Sequence, residues 1–122
     1  SESPEEVGMS SVLLDNLEGY YLNSFCFGIR LNDFNDLLPE YARYLFRGRE
    51  VRAFMFKHAQ GSTRFNLSKT TVKEKLKILL PSIEEQREIV KKLDLMEEQI
   101  IAHDVKIDTS KSLQKSLINQ VF

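Results

Sequence analysis

The sequence predicts an α+β chain: a small mixed domain followed by a long C-terminal coiled-coil helix. Three observations predict it. Residues 20–31 alternate at period two, as a strand does, with Phe25, Phe27 and Ile29 on one face and Cys26, Gly28 and Arg30 on the other. Residues 38–59 switch to helical spacing. From Ser82 to about Asn119 no proline or glycine interrupts the chain, and apolar residues recur alternately four and three apart.

Each element has its own justification. Residues 1–8 read as a loose lead-in ending at Gly8, and residues 9–14 as a short strand. Asp15, Asn16 and Gly19 make a turn before the strand at 20–31, and residues 32–36 (Asn-Asp-Phe-Asn-Asp) are turn chemistry again. Leu38 to Phe46 carries an apolar stripe of Leu38, Tyr41, Ala42, Leu45 and Phe46, with Pro39 in the first turn, where its missing N–H costs nothing. Gly48 interrupts it. Glu50 to Ala59 resumes the helical pattern with Val51, Phe54 and Met55 on one side. Residues 60–66 form a loop, and residues 67–72 a short helix with Ser68 as its N-cap. Residues 76–80 read as a short strand stopped by Pro81.

The long helix opens on Ser82-Ile83-Glu84-Glu85, a capping box with acids in the first turn. At ~1.5 Å per residue it spans roughly 55 Å. Ile89, Leu93, Met96, Ile100, His103, Ile107, Ser110, Gln114, Leu117 and Val121 form a heptad seam, apolar at all but His103, Ser110 and Gln114. Such a stripe calls for a partner helix, with Ile89, Leu93, Met96, Ile100, Ile107 and Leu117 as the pairing face; the competing reading is a helix lying on its own domain. The expected division is therefore residues 1–80 and residues 81–122.

The chain has 122 residues, one domain's worth, with 42% hydrophobic and 29% charged residues. That composition excludes a disordered tail or a collagen-like repeat. No apolar run approaches the ~20 residues that cross a bilayer, so no membrane role is expected. A lone cysteine, Cys26, forms no internal disulfide and points to a reducing, cytoplasmic setting; on its strand it reads as a small core residue. His58 reads as an exposed loop histidine and His103 as a seam residue. With Cys26 they lack metal-ligand spacing. No phosphate-binding glycine motif or nucleophile–base pair is visible, so neither catalysis nor a cofactor is expected of this chain.

The net charge of −1 hides a strong asymmetry. Residues 1–40 carry eight acids and one base, whereas residues 41–80 carry ten bases and two acids, a block of +8 with Phe46, Phe54, Phe56 and Phe65 interleaved. Residues 81–122 are near balance, at −2. A basic block of this kind suits a polyanion surface, because Lys and Arg supply most non-specific nucleic-acid affinity. The competing reading is a solvated basic face paired with the acidic first forty residues. Within the block, Gly61-Ser62-Thr63-Arg64 places two hydroxyls and an arginine on a glycine loop, a set of donors that suits phosphate. An ordinary turn is the plainer reading of that loop alone.

Three stretches taken together narrow the choice: Asn23-Ser24-Phe25-Cys26-Phe27, then Gly61-Ser62-Thr63-Arg64-Phe65-Asn66-Leu67-Ser68, then residues 79–90, Leu-Leu-Pro-Ser-Ile-Glu-Glu-Gln-Arg-Glu-Ile-Val. In this order, and followed by a heptad helix, they resemble the DNA specificity subunit of type I restriction–modification systems. The Leu-Pro-x-x-Glu-Glu-Gln element is the most specific piece. The resemblance implies a target-recognition domain that reads half of a bipartite site in double-stranded DNA, and a spacer helix that packs antiparallel against another. It also implies a subunit without chemistry of its own. Modification subunits supply adenine methylation from S-adenosylmethionine, and restriction subunits supply ATP-driven translocation and cleavage. Residues 1–80 are shorter than such a domain, and the resemblance implies that they correspond to its C-terminal part. The helix is then expected to pair with a second copy or with a missing half. Arg64, Ser62, Thr63 and Lys69 are the expected phosphate-positioning residues, supported by Arg49, Arg52 and Lys57. The alternative is a coiled-coil protein–protein interaction module whose basic surface binds an acidic partner.

Overall fold

A computed structural model describes residues 1–121. Its regular elements are four helices: α1 (Pro39–Leu45), α2 (Arg49–Lys57), α3 (Lys69–Lys75) and α4 (Ile83–Val121). The only β pairing among the described residues is a single antiparallel bridge, Gln60 with Asn66. The α+β class is therefore overturned: no sheet forms, and the strands expected at 9–14, 20–31 and 76–80 are irregular chain.

Hydrogen bonding explains the failure at 20–31. A strand needs an edge to pair with, and this segment bonds to itself instead. Asn23 accepts from the Phe25 N–H through its side chain (2.9 Å) and from the Cys26 N–H through its carbonyl (3.1 Å), a turn in the middle of the alternating run. Of the three residues on the predicted inner face, Phe27 packs on the core while Phe25 (79%) and Ile29 (58%) stay exposed. Cys26, expected in the core, is exposed as well. In the 76–80 run, Leu76 and Ile78 pack on the core and Leu79 faces solvent.

The helices follow their patterns. Gly48 separates α1 from α2 and serves as the α2 N-cap. Ala42 is buried in α1, and Val51 and Met55 in α2. Ser68 caps α3, its hydroxyl accepting from the Thr71 N–H at 3.3 Å. Val51, Met55 and Val72 form the core, with Phe27, Phe46, Phe54, Leu67, Leu76 and Ile78 packed around them.

The chain divides into two compact units, the first Ser1–Arg87 and the second starting at Glu88, so the first turn of α4 belongs to the first unit. That turn opens as the capping box predicts. Glu85 accepts from the Ser82 N–H and hydroxyl, each at 2.9 Å, and the Ser82 hydroxyl accepts from the Glu85 N–H at 3.3 Å.

Residues 1–8 are not a loose lead-in. Val7 is buried, and Gly8, at φ +68°, lies so close to Met55 and Leu67 that an added Cβ would come within 3.0 Å of the Met55 side chain. Two arginines hold residues 5–10. Arg52 donates to the carbonyls of Val7 (2.7 Å) and Glu5, and Arg47 donates through Nε to the carbonyl of Ser10 (2.8 Å).

In the second unit α4 continues as unbroken helix to Val121. On the expected pairing face Met96, Ile100, Ile107 and Leu117 are each at least half exposed. No described helix is long and apolar enough to cross a membrane.

Candidate nucleic-acid interface

The glycine loop is built by backbone geometry. Gln60 and Asn66 exchange two hydrogen bonds, at 2.9 and 2.8 Å, and close the loop between them. Gly61 makes the closure possible. Its φ is +137°, and a Cβ there would lie 2.0 Å from the Arg64 carbonyl oxygen. Glycine alone adopts such a conformation without strain. A second tie comes from the N-terminal segment, where the backbones of Ser1 and Phe65 also exchange two hydrogen bonds, at 2.8 and 3.0 Å. The loop base is thus pinned on two sides, while Ser62, Thr63 and Arg64 project from it as exposed side chains.

The other candidate residues occupy distinct positions. Arg49 opens α2 and Lys57 closes it, both exposed. They stand at the two ends of this nine-residue helix, about 12 Å apart along its axis. Lys69, the first residue of α3, is exposed, with its ammonium 5.9 Å from the centre of the Phe27 ring, a cation–π distance. Arg52 differs from the rest: it is half-buried, with two guanidinium nitrogens committed to main-chain carbonyls. The structure therefore gathers Ser62, Thr63 and Arg64 on one loop, and it employs Arg52 internally.

His58 is not an exposed loop residue. It is the C-cap of α2, half-buried, with its ring stacked on Phe54 at 4.2 Å and Nδ1 2.9 Å from the Phe54 carbonyl oxygen. No cluster of His, Cys, Asp or Glu that could hold a metal occurs among the described residues. Two carboxylates titrate below their ordinary value. Glu85 is held down by the Ser82 N–H and hydroxyl, and Glu5 by the Ser3 hydroxyl. Both serve turns or caps at the surface.

Sequence reasoning passed over Gln86, a residue inside the most specific motif. It is fully buried. Its amide donates to the carbonyls of Asp36 (2.7 Å) and Pro81 (2.9 Å), and its carbonyl accepts from the Leu38 N–H (3.0 Å). Stepping the heptad seam back by three from Ile89 lands on position 86, but a seam position does not by itself say that its own domain covers it.

The family model for the type I restriction modification DNA specificity domain matches residues 8–109. No curated protein and no solved structure matches the chain. The match takes in the core, the glycine loop, the capping box and more than half of α4. The chain belongs to the type I restriction modification DNA specificity domain family, the non-catalytic, DNA-recognition part of those systems.

Proposed function

We propose that this chain reads one half of a bipartite site in double-stranded DNA within a type I restriction–modification complex. In that complex it acts alongside modification and restriction subunits. The observation that carries the reading is the family match over residues 8–109. The closed loop at 60–66, which holds Arg64 and two hydroxyls outward in the basic block, supports it. Arg64, Ser62 and Thr63 position the phosphate backbone, and Lys69, Arg49 and Lys57 add cationic contacts along it. Arg52 serves beneath that surface, holding residues 5–7 to α2. The α4 seam, from Ile89 through Leu117, pairs with a second helix and acts as the spacer.

Salt-dependent binding tests this. In the assembled complex, Arg64→Ala and Lys69→Ala each weaken DNA binding, and each lowers the slope of log K against log salt by about one. Unchanged affinity and slope in both variants would remove the phosphate assignment. A complete lack of a shift on random duplex at low salt would favour a module that binds an acidic protein instead.

A further inference from the structure

Gln86 is the one polar side chain with no solvent exposure among the described residues. A buried primary amide is costly unless its donors and acceptor are met. Here both N–H groups and the carbonyl oxygen have partners, and every partner is main chain: the Asp36 and Pro81 carbonyls and the Leu38 N–H. Leu38 is the N-cap of α1, so a single side chain ties the opening of α1 to the opening of α4.

Apolar contact alone leaves a helix turn free to rotate or slide by small amounts, because it is non-directional. Three hydrogen bonds from one amide are directional. They fix the rotational phase of the first turn of α4, and a buried polar group used in this way supplies uniqueness more than stability. Gln86 also occupies the heptad position next to Ile89.

We propose that Gln86 is a positioning residue: it locks the first turn of α4 to the α1 cap and thereby sets the rotational phase of that turn within the first unit. The purpose of such a lock, a defined separation between two reading heads, rests on the spacer reading above.

The lock can be measured without DNA. In the full chain, with Cys26→Ser, spin labels at Lys73→Cys on α3 and Arg87→Cys in the first turn of α4, both exposed and both in the first unit, report a distance distribution by pulsed electron resonance. Dilution with unlabelled chain leaves only the intramolecular distance. The wild-type background gives one narrow peak, and Gln86→Met, close in volume but with no hydrogen bonds, loses it. Val72→Ala, which loosens the core without touching the joint, keeps the narrow peak. Leu38→Pro removes the N–H that Gln86 accepts, at a φ of −80° that suits proline, and broadens the peak even if Gln86→Met fails to fold. A broad wild-type distribution would overturn the inference. So would a peak that stays narrow in Leu38→Pro and in whatever Gln86→Met chain folds, or one that broadens equally in Val72→Ala. Broadening as described in a complex that binds no DNA would sink the function reading and leave the lock standing.

Discussion

At Gly61 the backbone is at φ +137°, and the space a side chain needs is already filled by the Arg64 carbonyl. Gly61→Ala therefore cannot be accommodated without opening the loop. The expected loss is about 1–3 kcal/mol, read as a lower thermal midpoint. Weaker DNA binding by the assembled complex accompanies it, since Ser62, Thr63 and Arg64 lose their common platform. Glu85 makes a prediction with a sign. Its carboxylate is stabilised by Ser82 in the folded chain, so its pKa lies lower folded than unfolded. The stability it contributes is present above the unfolded value and disappears as pH falls through the folded one. Glutamine completes the same capping box but does not titrate. Glu85→Gln should therefore lose less thermal stability on acidification than the parent, as a melting series across the carboxylate range would record; parallel curves would count against the cap.

Among the elements, α4 shows most plainly how a pattern can outrun its surroundings. Its 39 residues are helical, yet Met96, Ile100, Ile107 and Leu117 remain exposed within the chain. Helix formation needs only local bonds and the absence of breakers, whereas covering the seam needs a second helix. If the seam pairs, Ile100→Asp buries an unpartnered carboxylate at its middle. That costs about 3 kcal/mol, a weakening of roughly a hundredfold. Sedimentation of the assembled particle would register the loss while circular dichroism keeps the helical signal. Equal sedimentation for both chains would speak against pairing through Ile100. The segment at 20–31 is the opposite case. Its alternation was legible, but alternation describes only which side chains share a face; the ladder bonds that make a strand must come from elsewhere. Asn23 captures the local N–H groups instead.

Across the whole molecule, the basic block divides into two jobs that charge counting merges. Arg47, though exposed, and half-buried Arg52 point their guanidinium groups at main-chain oxygens of residues 5–10, while no such tie to the first ten residues is seen for exposed Arg49, Lys57 and Arg64. A salt titration of DNA binding should follow the untied set. Five apolar side chains, Val7, Ala42, Val51, Met55 and Val72, are deeply buried among the described residues. Four of these lie in helices and were readable from 3.6-residue spacing or from the capped run at 67–72. Val7 was not, because no periodicity marks a segment held by arginines some forty-five residues away. Helix starts, the heptad run, the capping box, the glycine loop and the family resemblance were all legible in the order of residues, since each depends on neighbours within a few positions. The loss of the sheet, the internal use of Arg52 and the burial of Gln86 were decided by tertiary contacts. In each of them a polar group finds, or fails to find, a partner far along the chain, and local spacing carries no record of that choice.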